Sequence, residues 1–315
     1  MASLERTAYP KFPRAISDKE LSQAYTFSEE EKTWVEAIAQ SPSHRLGLAV
    51  LLKVFQQLYY FPELSEIPEE VIKNVRQCFN FGDRVKIAYS NTRTYYRHTT
   101  AIRSYLGVSP FYGADARETA DRIAQEAAEI LDQRVDIINA LIDELALRRI
   151  ELPAFSTLDT LAEQAHATVQ ESLFKLVLRR VSPSLKETLD RLLDTDFGRR
   201  QSDFNTLKQT PKKPTRKHLE VLIDHLTWLE SFGDLNSVFK NIRETKIRHF
   251  SSQAMAFDVS ELKECTVAKR YTLMLALIYQ MRVRTRDHLA EMFIRRMATI
   301  QGYRRDEAKI RTFGM

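Results

Sequence analysis

The chain reads as an all-α protein. Glycine is scarce, at 8 of 315 residues, while Leu, Ala, Glu, Lys, Arg and Gln abound, a composition that favours helices. Ser17 with Glu20 and Ser28 with Glu31 each fit a capping box, in which the hydroxyl accepts an orphan backbone N–H and the carboxylate reaches back. No stretch shows sustained apolar–polar alternation between turn dipeptides, and no repeat of fixed period is present.

The elements follow in order. The second capping box opens a helix carrying Trp34, Val35 and Ile38, which Ser41-Pro42 interrupts. Leu48, Leu51, Leu52, Phe55, Leu58 and Tyr59 then recur at i, i+3, i+4, i+7 spacing and predict an amphipathic helix ending at Phe61-Pro62. Pro68 suits the first position of a helix running towards Phe79. Asn80 to Asp83 reads as a turn in which Gly82 is free to take positive φ. The next helix, Thr92–Leu106, stops at Gly107. Its stripe of Tyr95, Thr99, Ile102 and Leu106 predicts a buried face, with Arg93, Arg97, Thr100 and Ser104 opposite and Tyr96 and Arg103 flanking. Together with the preceding helix and turn it predicts a helix-turn-helix-like unit.

Asp115–Arg149 predicts one long helix or two joined near Gln133. Leu152-Pro153 reads as a module boundary, Ser156 with Asp159 as the cap of a helix reaching about Arg180, and Pro183 as the start of another. Gln209–Thr215 is a proline-bounded basic linker, stiffened by Pro211 and Pro214. Beyond it come Leu219–Leu229, a mixed stretch to Phe257, and helices over Val267–Arg284 and Thr285–Ile300. Three modules are expected: 1–113, 114–213 ending in the basic linker, and 214–315.

Hydrophobic content of 43% supports a real core. The net charge of +5 is compatible with nucleic acid without demanding it. Cys78 and Cys265 stand alone, without CxxC spacing, which points to a reducing compartment and away from disulfides or a cysteine metal site. The N-terminus lacks the apolar core of a signal peptide, and the runs Leu46–Phe55 and Tyr271–Met281 are too short to span a bilayer. A cytoplasmic protein with no membrane partner is expected. The seven histidines are scattered, with His218 and His225 able to share a helix face. Metal-ligand spacings, phosphate-binding glycine loops and the GxSxG nucleophile motif are missing, so no metal, cofactor, small-molecule substrate or catalytic residue is expected.

Charge distribution says more than its total. Between Arg84 and Ala114 lie five Lys/Arg, five Tyr and no acid. An acid-free, basic, tyrosine-bearing helix suits a phosphate backbone. Like charges at i, i+4, as in Arg93 and Arg97, repel unless an anion faces them. The bland alternative is a solvated basic face with structural tyrosines. From Arg199 to His218 there are seven Lys/Arg and one acid, which reads either as a solvated linker or as a strap tracking a phosphate backbone. Lys240, Arg243, Lys246 and Arg248, and Arg282, Arg284 and Arg286, read as surface.

RTAYPKFP near the start, the block Arg45–Pro62 (RLGLAVLLKVFQQLYYFP), the pattern of Arg93, Thr94, His98, Ile102, Arg103, Leu106 and Gly107, and Ala268–Met297 resemble the N-terminal region of Tn-three family transposases. The resemblance covers roughly Glu5 to Met297. It implies helical modules that bind the terminal inverted repeats of a transposon. In that family a later RNase H-like domain with two Asp and a Glu holds metal ions and performs strand cleavage and transfer in replicative transposition. The chain is expected to end before such a domain, and Gln301–Met315 departs from the family pattern. An engineered fragment, a frameshifted element and a degraded copy all fit that departure.

The expectation is therefore a set of tandem helical modules that bind double-stranded DNA at transposon ends, with self-association left open and no catalysis by this chain alone. Thr92–Leu106 is the expected major-groove helix. Arg93 and Arg97 would reach base edges or phosphates beside Thr100 and Ser104, with Tyr96, His98 and Arg103 flanking on the backbone. Arg84 and Lys86 precede it. Lys208, Lys212, Lys213, Arg216 and Lys217 would hold phosphates without sequence preference. A helical scaffold whose basic faces meet acidic proteins is the alternative, and a stand-alone nuclease a third reading.

Overall fold

The structure is a computed structural model that describes residues 4–89, 92–194, 202–208 and 216–313, with the side chains of 216–218 and 299–313 excepted. It is all-α, 74% helical, with no strand among the described residues. The chain divides into two compact units, 1–167 and 168–315.

In the first unit, α1 (Asp18–Ala24) and α2 (Glu29–Ile38) open on the two predicted capping boxes, both fully formed. The central element is α3 (Pro42–Leu58), capped by Ser41. Its periodicity predicted one apolar face, but every residue from Leu46 to Phe55 is buried. A helix buried all round is a core helix rather than a surface one. It is surrounded by α1, α2, α4 (Glu69–Cys78) and α5 (Thr92–Leu106).

One charge sits inside that core. Lys53 Nζ donates to both carboxylate oxygens of Glu31, at 2.9 and 2.8 Å, and lies 4.8 Å from the Phe27 ring centroid. The same carboxylate accepts from Gln56 Nε2 at 2.8 Å and from the backbone N–H of Ser28 at 2.9 Å. Burial pushes the Glu31 carboxyl up, but the hydrogen bonds from Lys53, Gln56 and Ser28 together outweigh it and hold the group below its ordinary value.

The turn after α4 uses a different residue from the one the sequence suggested. Asn80 carries the left-handed conformation, at φ 52°, and Gly82 does not. Asn80 follows the end of α4 closely, so it serves as the helix stop, with Phe81 N–H bonded to Arg76 O at 3.0 Å. The whole stretch 79–91 then separates α4 from α5, and Val85, Ile87 and Tyr89 in it are half-buried against the core. A helix-turn-helix joins its helices by three or four residues. The tight version of that unit is therefore absent, because the connecting segment contributes core side chains of its own. At the other end of α5, Gly107 (φ 65°) closes a Schellman turn as expected: Val108 N–H bonds Arg103 O at 2.9 Å, and Gly107 N–H bonds Ser104 O at 3.3 Å.

Asp115–Arg149 is two helices, α6 (Ala114–Ile130) and α7 (Arg134–Leu147), broken at Gln133. Small Ala120, Ala124, Ala127 and Ala128 of α6 lie buried, as do Ile137, Ile138, Leu141 and Leu145 of α7. Leu152 and Pro153 are buried within the first unit and are not a boundary. Ser156 is not a cap either: α8 (Phe155–Arg180) has already begun, and Asp159 instead holds Arg134 at 2.8 Å.

The second unit comprises the latter part of α8, α9 (Pro183–Leu192), α10 (Asp203–Leu207), α11 (Arg216–Glu230), α12 (Leu235–Val238), α13 (Glu244–Ala256), α14 (Val259–Glu264) and α15 (Val267–Phe313). It too is built around one enclosed helix, for Leu273 to Ile278 of α15 are all fully buried. The predicted break at Arg284–Thr285 is missing, since Thr285 is buried and the helix continues.

Breaking the Glu31–Lys53 pair tests the first core. Glu31→Ala is expected to lower stability by about 3–5 kcal/mol, because it strands a buried ammonium. Glu31→Gln keeps an acceptor and should cost less. Urea midpoints at constant slope measure both.

Candidate nucleic-acid interface

Helix α5 has the two faces its sequence requires. Thr99 and Ile102 are buried and Tyr95 and Leu106 half-buried, whereas Arg93, Arg97, Thr100 and Ser104 are exposed. Tyr96 is 65% exposed. Arg84 and Lys86, in the segment before the helix, are exposed as well.

Two expected backbone contacts turn inward instead. His98 is fully buried, with Nδ1 2.8 Å from the Tyr89 hydroxyl. It therefore cannot flank a phosphate backbone as placed. Its ring meets His44 edge-on at 6.0 Å, and His44 stacks on Tyr89 at 6.1 Å. Nε2 of His98 is buried without a hydrogen-bond partner among the described residues. Burial first, then the charges of Arg97 and His44, pull the imidazole down to about 4, so it is neutral near pH 7. The Tyr89 hydroxyl reaches this position because Gly47 of α3 is bare: a Cβ there would lie 2.7 Å from Tyr89 Oη.

Arg103 is likewise engaged. Its Nε and Nη2 donate to the two oxygens of Glu151 at 2.8 and 3.2 Å, a forked pair with both side chains nearly enclosed. The guanidinium lies 5.0 Å from the Phe61 ring centroid and 5.6 Å from that of Tyr112. Glu151 is delivered by a backbone bridge: Ser109 N–H bonds Arg149 O, and Glu151 N–H bonds Ser109 O, each at 2.8 Å. The stretch 84–114 lacks acids in sequence, but its fourth arginine, Arg103, is compensated by Glu151 from across the fold.

In the second unit four basic residues hold helix ends. Arg180 Nη1 donates to Val238 O at 2.9 Å and Lys240 O at 2.7 Å, after α12. Arg270 donates to Leu262, Lys263 and Cys265 carbonyls at 3.0, 2.7 and 3.2 Å, after α14. Arg282 donates to Leu229 O and Gly233 O, both at 2.8 Å, after α11. Lys208 Nζ donates to Phe257 O, after α13, and lies 4.6 Å from the Phe204 ring centroid. Burial pulls the Lys208 ammonium below its ordinary value. Lys208 is thus engaged within the fold, contrary to its expected role as a free phosphate holder. Of the two clusters read as surface, Lys240, Arg243, Arg248, Arg284 and Arg286 are exposed, whereas Lys246 is buried and Arg282 half-buried. Lys212 and Lys213 lie outside the described residues, and Arg216 and Lys217 are described only as the start of α11.

Tyr112 is the residue that the sequence reading passed over. It is 70% exposed in the loop before α6 and stands over the Arg103 guanidinium. Its only signal in sequence is an aromatic between Pro110 and Gly113, where a turn would present it. Among the described residues no cluster of His, Cys, Asp or Glu could hold a metal ion, and no helix is long and apolar enough to cross a membrane.

Comparison with known sequences places this chain among sequences already grouped. It belongs to the family described as a domain of unknown function, DUF4158, whose family model matches residues 1–165. It is also homologous to transposases of the Tn-three family, as its motifs implied. It is 24% identical over 297 residues to the transposase for transposon Tn501 of Pseudomonas aeruginosa, covering 93% of this chain and 29% of that protein. Against the transposase for transposon Tn2501 of Escherichia coli the identity is 22% over 261 residues, covering 82% and 26%. Against the transposase for transposon Tn1546 of Enterococcus faecium it is 22% over 301 residues, covering 94% and 30%. The chain thus spans under a third of the length of these curated relatives.

His98 sets a pH dependence of stability. Its folded value of about 4 lies below the ordinary 6.5, so between these the unfolded chain binds the extra proton. Stability from this site is complete above pH 6.5 and falls as pH drops to 4, by about 3 kcal/mol at the low end. Unfolding free energies from pH 7 to pH 4 should fall less steeply in His98→Gln.

Proposed function

We propose that this chain acts in DNA transposition as a double-stranded DNA-binding part of a transposase, and that the first unit recognises the inverted repeats at the transposon ends. The observation that carries the reading is the outward face of α5, where Arg93, Arg97, Thr100 and Ser104 stand exposed beside Tyr96 on a helix with no acidic residue. Homology to transposases supports it. Arg97 reaches a base edge or a phosphate, Thr100 and Ser104 hydrogen-bond beside it, and Arg84 and Lys86 bind the phosphate backbone approaching the helix. Arg103 and His98 act from behind: the first ties α5 to Glu151, the second to Tyr89. In the second unit the phosphate contacts fall to Lys212, Lys213, Arg216 and Lys217. The chemistry of strand transfer is assigned to no residue of this chain, and the place of action is the cytoplasm, on the nucleoid.

Titration against an inverted-repeat duplex and a scrambled duplex at two salt concentrations tests the assignment. Arg97→Ala should weaken binding by about 1–3 kcal/mol and relax the preference for the repeat. Lys213→Ala should weaken both duplexes alike and flatten the salt slope by about one contact. If Arg93→Ala/Arg97→Ala binds the repeat as the unaltered chain does, α5 is not the reading helix. Absence of any sequence preference or salt slope would favour a helical scaffold that meets acidic proteins instead.

A further inference from the structure

At the end of α5 the first unit holds a groove of about 540 Å³, lined by the rings of Tyr60, Phe61, Tyr112 and Phe155 and by the carboxylates of Glu63 and Glu66. Arg103 and Glu151 also border it, but they neutralise one another. Among the described residues Glu63 and Glu66 have no cationic partner, so the groove keeps two negative charges. Glu66 is fixed there, its carboxylate accepting the backbone N–H of Glu63 at 3.0 Å. The rings of Tyr9 and Tyr60, which also line the groove, stack 5.2 Å apart. Aromatic faces with carboxylates at the rim attract an organic cation and repel a phosphate. The wall already shows the pattern once, with the Arg103 guanidinium over Phe61 and Tyr112 and a carboxylate beside it.

We propose that this groove is a docking site for a protein partner, and that it seats an arginine side chain projecting from that partner's surface between the exposed ring of Tyr112 and the carboxylates of Glu63 and Glu66. Charge complementarity selects the occupant: the guanidinium stacks on the Tyr112 ring and donates to the rim carboxylates. The site is separate from the outward face of α5 and does not depend on DNA binding there. A nucleobase could use the rings but would bring its phosphates against two carboxylates.

Amide signals of the isotopically labelled full chain can be followed by NMR while acetyl-Gly-Arg-Gly-amide is added, with its citrulline twin and a thymidine tetranucleotide as comparisons. The arginine peptide should move the signals of Phe61 and Tyr112. The citrulline twin, equal in shape but uncharged, should bind at least about fivefold more weakly. Glu66→Gln retains the acceptor for Glu63 N–H, and Tyr112→Ala alters an exposed ring, so both should fold. Each should weaken the arginine peptide by about fivefold. Equal binding by the citrulline twin, shifts confined to other surfaces, unchanged affinity in both variants, or occupation of the groove by the oligonucleotide would each overturn the proposal.

Discussion

A single forked ion pair, Arg103 with Glu151, governs how the first unit presents itself. It joins the last turn of α5 to the segment after α7, and the Ser109 bridge fixes its register. Because both partners are nearly enclosed, each depends on the other to offset the cost of leaving water. The pair removes one arginine from the basic face, so that the exposed charge of α5 is confined to the side bearing Arg93 and Arg97. It also forms the neutral floor of the aromatic groove, leaving Glu63 and Glu66 to set the sign of that cavity.

The two units solve the same packing problem in the same way. Each surrounds one helix whose residues are buried on every side, α3 in the first and the start of α15 in the second. An enclosed helix needs neighbours on several faces, and the neighbours are short helices with many ends. Those ends leave carbonyls in need of donors. In the second unit Arg180, Arg270, Arg282 and Lys208 supply them. These four positive charges are therefore structural and are not available to an anion.

The sequence carried the fold class, the capping boxes at Ser17 and Ser28, the break at Gln133 and the stop at Gly107, all of which are local signals. It also carried the division of α5, since helical period alone separates Ile102 from Arg97. What it lacked were partners distant along the chain. His98, three residues after Tyr95 and four before Ile102, borders the buried stripe by helical period, but its partners Tyr89 and the bare Gly47 that admits Tyr89 lie outside the helix. Arg103 looks free in an acid-free stretch because Glu151 lies far along the chain. Lys53 is the one charge in the apolar run Leu46–Phe55, and Glu31, distant in sequence, makes it part of the core. Tyr112 had only the flanking Pro110 and Gly113 to mark its exposure, and its place on the groove depends on partners far along the chain.

The missing side chain at Gly47 reaches further than its size suggests. Tyr89 occupies the room it leaves, His98 leans on Tyr89, and His98 belongs to the helix whose other face carries Arg97. A residue that meets only protein is in this way held to glycine on behalf of a surface it never touches. A Cβ at that point of α3 would push Tyr89 aside and, through His98, shift the helix that carries Arg97 and Ser104, so Gly47, Tyr89 and His98 act as one mechanical unit.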